Sequence, residues 1–157
     1  MNVTDILESA KKVKDLNAKF LQKIESDESL DAMFHVEHGK VFEKLDCLDC
    51  ANCCKTTSPI ILQEDMDRIA THLNITTGEF IQKYLEMDED GDFVFQSAPC
   101  PMLLENNKCS IYEIRPAACR EYPHTNRKNM SEILDLTLEN TLVCPAVVKI
   151  VDGLNTR

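Results

Sequence analysis

The sequence lacks the signals that would direct it to a membrane or out of the cell. No apolar run approaches the roughly 20 residues of a membrane span. The start of the chain, residues 1–5, has no basic stretch followed by an apolar block, so we read no signal peptide. We therefore expect a cytoplasmic protein with no membrane partner.

Positive charge is also scarce. Seventeen Lys and Arg residues stand against 27 Asp and Glu residues, and the formal net charge is −10. The acidic residues are spread along the chain, and no basic stripe interrupts them. Because an acidic surface repels phosphate backbones, we expect no nucleic-acid partner.

The common catalytic motifs are missing too. We find no phosphate-binding loop, no Ser/His/Asp arrangement and no paired-carboxylate motif. Nothing in the sequence therefore predicts a hydrolase or a kinase. No catalytic residue is identified, and whether the protein is an enzyme stays open.

What the chain does have is cysteine, eight in 157 residues. Four of them fall within residues 47–54, here called the cysteine segment. Four disulfides are one interpretation, but cytosolic thiols are normally kept reduced, and a bridge between adjacent Cys53 and Cys54 would be strained. Metal ligation is favoured instead, with buried or reactive thiols as the third alternative.

The spacing supports metal ligation. Cys47, Cys50 and Cys53 are each separated by two residues, a spacing that turns sulfurs toward one centre in zinc and iron–sulfur sites. The segment needs remote partners to complete such a site. The predicted metal ligands are Cys47, Cys50, Cys53, Cys54, Cys100, Cys109, Cys119 and Cys144.

The type and number of centres stay open at this point. Soft thiolates suit an iron–sulfur cluster or zinc, and the spacing does not separate the two. Eight sulfurs could complete two centres, or one centre with spare thiols. Arg115 and Arg120 bracket Cys119, and their donors could support the negative charge of bound thiolates. Pairing of both arginines with nearby acids is an equally good interpretation.

Hydrophobic periodicity predicts a helix-rich chain. We expect helices at residues 4–25, 29–45, 63–73, 79–87, 131–142 and 145–151, with Gly153 closing the last. A strand is expected at 93–95, a hairpin at 102–111, and an irregular loop at the cysteine segment. The predicted fold is an α-rich α+β structure, one small domain of short helices and β-hairpins wrapped around a cysteine-ligated metal site.

Two regions are expected within this single domain. Residues 1–45 form an N-terminal helical segment packed on the rest of the domain. Residues 46–157 form the cysteine-cluster metal-binding region.

Several motifs in a fixed order resemble a known family. The CxxCxxCC pattern of residues 47–54 is followed by Cys100-Pro101, by the run from Cys109 to Glu113, and by the run from Arg115 to Pro123. This order resembles the YkgJ-type cysteine-cluster family, over residues 45–146. The resemblance implies binding of zinc or iron through the cysteines. A related cluster occurs in the longer flagellin lysine methylases, but no methyl-donor site is recognisable here.

Three functions are therefore expected in order. The first is a cytoplasmic metal-binding protein that holds an iron–sulfur centre or zinc. The second is a redox or methyltransferase-like enzyme that uses the cysteine cluster. The third is an interaction module whose shape the metal stabilises.

Overall fold

The computed structural model describes residues 2–156 and shows two compact units. The helical unit comprises Met1–Cys47 and Pro123–Arg157, and the cysteine unit comprises Leu48–Tyr122. The division expected from the sequence, with a boundary at residues 45 and 46 inside one domain, stays a prediction.

Helices account for most of the regular structure. The α-helices are α1 (Val3–Lys12), α2 (Lys14–Ile24), α3 (Leu30–Phe42), α4 (Cys47–Cys50), α5 (Asn52–Thr56), α6 (Gln63–His72), α7 (Thr77–Tyr84), α8 (Ala117–Glu121), α9 (Leu134–Asn140) and α10 (Pro145–Asn155). Two 3-10 helices span Tyr112–Ile114 and Met130–Ile133. Strands β1 (Leu85–Met87) and β2 (Phe93–Phe95) pair antiparallel, with Glu86 opposite Val94.

The predicted helix-rich fold with a small amount of β-structure is confirmed, and several details are corrected. The helix expected at 4–25 is divided at Val13, whose N–H bonds back to the Ala10 carbonyl at 3.2 Å. The hairpin expected at 102–111 is present only as a short antiparallel pairing, an isolated bridge between Leu103 and Cys109 with the Ser110 N–H bonded to the Met102 carbonyl at 2.8 Å. The cysteine segment was expected to be irregular but forms α4 and α5.

The C-terminal helix corrects another expectation. Gly153 lies inside α10 rather than closing it. A Cβ at this position would stand 2.5 Å from Glu37 Oε2, so the missing side chain lets the buried Glu37 carboxylate approach the helix. Glycine is used here for close packing rather than for a turn.

Apolar packing between helices holds the helical unit together. Helix α3 packs against α10, α1 packs against both α10 and α2, and α2 packs against α9. Phe34 on α3 and Val147 and Ile150 on α10 are each 0% exposed. These positions follow the spacing of a buried helix face, as the periodicity predicts.

Polar groups on α3 hold the segment that precedes α9. The Asp31 carboxylate accepts the N–H groups of Asn129 and Met130, each at 2.8 Å. His35 Nε2 hydrogen-bonds the Arg127 carbonyl at 2.8 Å, and His38 Nδ1 hydrogen-bonds Thr125 Oγ1 at 2.9 Å. Both histidines therefore have protein partners within the helical unit.

The cysteine unit has its own apolar core between α6, α7 and the sheet. The buried residues of this core are Ile61, Met66, Ile69, Ala70, Phe80, Leu85, Phe95, Met102 and Ile111. Helix α7 begins with a capping box, in which Thr76 Oγ1 accepts the Glu79 N–H at 3.2 Å and Glu79 Oε2 accepts the Thr76 N–H at 2.8 Å. Cys100 and Cys109 pack against the edge of this core.

Within the described residues 2–156, none of the helices combines the length and the apolar character needed to cross a membrane.

Candidate metal centre

Cys54 lies on the short helix α5, directly beside the loop that carries Cys100. Ala51 separates α4 from α5 with a left-handed backbone at φ 49°, which turns the chain between Cys50 and Cys53. The Cys54 carbonyl then accepts the N–H of Cys100 at 2.7 Å. One end of the cysteine segment is thus tied to a chain segment almost fifty positions away.

The loop from Cys100 to Cys109 brings two more thiols to the same region. The Leu103 N–H bonds the Cys100 carbonyl at 3.0 Å, and the Leu104 N–H bonds the Lys108 carbonyl at 2.8 Å. These bonds fold the loop back on itself, so that Cys100 and Cys109 both pack against the same apolar core. Cys119 approaches from a third segment, the helix α8.

Electrostatics show that these four thiols are neighbours. Burial is the main cause that raises the pKa of Cys119 to about 12, and the nearby Cys54, Cys100 and Cys109 raise it further. Burial likewise raises the pKa of Cys100 to about 11, with added contributions from Cys54 and Cys109. The pKa of Cys109 is raised by burial and by Cys54. We call Cys54, Cys100, Cys109 and Cys119 the four-thiol group.

Cys54 differs from the other three thiols. A side-chain hydrogen bond with Cys53 lowers the pKa of Cys54 to about 7, against the opposing effect of partial burial. A thiolate is the form of cysteine that binds metals. Cys54 is therefore the member of the group that ionises most readily near neutral pH.

Arg115, one of the two arginines expected to support the cysteines, lies near the four-thiol group. Its guanidinium stacks 3.9 Å from the centre of the Tyr112 ring and donates to the Tyr112 carbonyl at 2.6 Å. Its positive charge opposes the burial that raises the pKa of Cys109 and Cys119. Arg120 is exposed on α8. The supporting roles of both arginines stay predictions.

The other four cysteines are divided between the units. Cys50 and Cys53 are half-buried in the cysteine unit. Cys47 is exposed, Cys144 is buried, and both belong to the helical unit. Within the described residues, none of the eight cysteines is joined to another by a disulfide.

The donor chemistry of the four-thiol group fits zinc or iron. Four soft sulfurs are the number and type that tetrahedral zinc sites and iron–sulfur clusters use. Across residues 2–156, however, no three or more His, Cys, Asp or Glu side chains are arranged so that they could hold a metal ion without moving. Binding therefore requires the thiols to draw closer together.

Sequence reasoning missed a charged pair that holds the backbone ahead of Cys119. Asp65 on α6 is 2% exposed and forms an ion pair with Arg68, one turn later. Both carboxylate oxygens of Asp65 accept the N–H of Ala117 at 3.2 Å. Arg68 donates to the carbonyls of Ile114 at 3.2 Å and Arg115 at 3.1 Å.

A signal for this pair is present in the sequence. Asp65 lies on the same face of α6 as the buried Ile69, so a carboxylate interrupts an apolar stripe. A charge at such a position is rarely buried unless it is paired.

Comparisons with known proteins identify the family of the chain. The model of the CxxCxxCC family, described as "Putative zinc- or iron-chelating domain", matches residues 46–141, more than half of the chain. The uncharacterized protein MJ0661 of Methanocaldococcus jannaschii is 29% identical over 82 residues, which are 50% of this chain and 44% of that protein. The chain thus spans less than half of that relative, and no solved structure matches. The matched region contains every cysteine except Cys144, and the chain belongs to the CxxCxxCC family.

Proposed function

We propose that the cysteine unit binds zinc or iron through Cys54, Cys100, Cys109 and Cys119. The observation that carries this proposal is the convergence of thiols from three separate chain segments, whose charges act on one another. Without a metal, the negative charge of one thiolate raises the pKa of the neighbouring thiols. Further thiolates are therefore unfavourable in the metal-free protein. A bound cation reverses this effect because it stabilises the thiolate form.

Metal uptake by this group releases protons. Cys54, with its pKa lowered to about 7, would supply the first thiolate, and the three half-buried thiols would lose their protons as the metal binds. Arg115 lies where it offsets part of the remaining negative charge. Binding should therefore strengthen as pH rises, since fewer protons then have to be displaced.

The choice between zinc and an iron–sulfur cluster belongs to this proposal, as does the number of centres. Cys47, Cys50, Cys53 and Cys144 remain predicted ligands, either for a second centre or as replacements within the first. A cytoplasmic location, where thiols are normally kept reduced, is part of the same proposal.

Anaerobic purification followed by visible absorption and metal analysis tests the proposal. A coloured protein with iron and acid-labile sulfide indicates a cluster, and a colourless protein with stoichiometric zinc indicates a zinc site. Cys119→Ser should lower the metal content in either case. Protein that contains no metal and takes up neither zinc nor iron under reducing conditions would contradict the proposal.

Cys144→Ser serves as the comparison variant for the number of centres. If the four-thiol group is the whole site, this variant keeps the full metal content of the wild type. If eight cysteines hold two centres, it loses part of the metal while Cys119→Ser loses another part. The enzyme alternatives and the interaction module gain support only if metal-loaded protein shows turnover or captures a partner.

A further inference from the structure

The Asp65–Arg68 pair bonds backbone groups at two places in the chain. At the start of α6, Asp65 accepts the Leu62 N–H at 3.3 Å and Arg68 donates to the Glu64 carbonyl at 3.4 Å. The remaining backbone contacts of the pair all go to one corner of the chain. This corner, residues 114–117, joins the 3-10 helix Tyr112–Ile114 to α8. Three backbone groups of the corner are engaged: Arg68 donates to the carbonyls of Ile114 and Arg115, and Asp65 accepts the N–H of Ala117. We call the pair with these contacts the clamp.

The corner cannot supply these contacts by itself. Pro116 occupies the N-cap position of α8 and makes no side-chain capping bond. The first N–H of α8, that of Ala117, would otherwise lack the partner that a capping side chain normally gives. Asp65 provides that partner from α6, and its negative charge stands at the favourable end of the helix.

We propose that Asp65 and Arg68 are positioning residues that set the place of Cys119 in the four-thiol group, an inference that rests on the proposed metal binding. Cys119 is the third residue of α8, two positions after the clamped N–H of Ala117. Because α8 has only five residues, it has little stability of its own, and its position depends on what holds its first turn.

The clamp also links Cys119 to the apolar core of the cysteine unit. Asp65 lies beside Met66 and one turn from Ile69 on α6, and both of these belong to the core. Arg68 is partly exposed, but its fork reaches two carbonyls and the buried carboxylate at once, which lysine could not do. Through these contacts, the position of Cys119 depends on the same core against which Cys100 and Cys109 pack.

The test uses Asp65→Asn in the full chain, with Glu64→Gln as the matched control. Glu64 is the preceding residue on α6, is exposed, and contributes its carbonyl rather than its side chain to Arg68. Both changes remove one negative charge from the same helix. Because Asp65→Asn leaves Arg68 without its partner, the double variant Asp65→Asn with Arg68→Gln is measured as well.

The first measurement is made on metal-free, reduced protein. Iodoacetamide labelling followed by mass spectrometry gives the ratio of the labelling rates at Cys119 and Cys100. We expect Asp65→Asn and the double variant to raise this ratio several-fold, and Glu64→Gln to leave it unchanged. Global loosening raises both rates together, so an unchanged ratio in both clamp variants overturns the proposal.

The second measurement is zinc affinity, by competition with a chromophoric chelator, together with the visible spectrum of the cobalt-substituted protein. Loss of a group that orients a ligand typically weakens metal affinity about 10–100-fold, and we expect this for both clamp variants. Wild-type affinity and an unchanged cobalt spectrum in these variants would overturn the clamp while leaving metal binding intact. If the wild type itself takes up no metal, the proposed function fails, and the labelling ratio still decides the clamp.

Discussion

The two units stabilise themselves by different means. The helical unit packs long helix faces against one another, and α10 alone buries seven of its residues. The cysteine unit has short elements around a core of nine residues, and it buries a carboxylate to hold a corner of backbone. A small apolar core supplies limited stability, so such a unit gains more from polar clamps and bound metal than a helical bundle does.

The two units also differ in whether they contain the candidate metal ligands. Every member of the four-thiol group lies in the cysteine unit, where loops and short helices present the side chains. Loops tolerate the small movements that metal uptake requires, whereas a close-packed helical face resists them.

The largest effect is expected from opening a cavity in each core. Phe80 in the cysteine unit and Phe34 in the helical unit are both 0% exposed. Phe80→Ala and Phe34→Ala should each lower the free energy of unfolding by about 3–5 kcal/mol, because a large buried ring is lost. Denaturant unfolding followed by circular dichroism measures this effect.

The two cavity variants should differ in their zinc affinity. Phe80→Ala loosens the core against which Cys100 and Cys109 pack, so it should weaken zinc binding under conditions where the protein is still folded. Phe34→Ala lies in the other unit and should retain wild-type affinity under the same conditions. Weaker zinc binding by Phe34→Ala than by Phe80→Ala would show that the candidate metal site does not depend on the core of the cysteine unit.

A smaller effect is expected at Gly153. Gly153→Ala would place a Cβ 2.5 Å from Glu37 Oε2, and the buried carboxylate, which also pairs with Lys40 at 2.8 Å, would have to shift. We expect a loss of about 1–3 kcal/mol in the free energy of unfolding, typical of overpacking. Thermal or denaturant unfolding provides the measurement.

Gly39 provides the control within the same unit. A Cβ at Gly39 on α3 meets nothing within 4 Å, so Gly39→Ala should stabilise the protein by about 0.4–1 kcal/mol through helix propensity and the unfolded state. Equal effects of the two substitutions would mean that the contact between Gly153 and Glu37 does not limit packing.

The smallest effect is a shift in the pH dependence of labelling. In metal-free protein, the iodoacetamide reaction at Cys54 should rise with pH through about 7, because the Cys53 hydrogen bond lowers the pKa of Cys54 to about 7. Cys119 should stay largely unreactive over the same range, since burial raises its pKa to about 12. Mass spectrometry at each pH measures both rates.

Cys53→Ala tests the cause of this shift. Removing the hydrogen bond should move the Cys54 midpoint upward, toward the ordinary thiol pKa of about 8.5. A midpoint that stays near 7 in this variant would assign the lowered pKa to another group, such as the neighbouring Lys55 charge.

Local patterns were enough to predict much of the fold. Helix α6 and the capping box of Thr76 and Glu79 follow from side chains within a few positions of one another. The pairing of β1 with β2 was missed because residues 85–87 continue a helical pattern, and only the partner strand makes them extended. Gly153 was misinterpreted because the reason for it, Glu37, lies on another helix.

By itself, the sequence determined which metal ligands are predicted: eight cysteines, four of them in residues 47–54, with no competing catalytic motif. Tertiary structure decided which thiols are neighbours, and only Cys54 of the four-thiol group comes from the cysteine segment. It also decided the role of Asp65, whose partner Ala117 is 52 positions away. The physical reason is that spacing along the chain specifies local geometry, whereas contacts between distant segments depend on how the core packs.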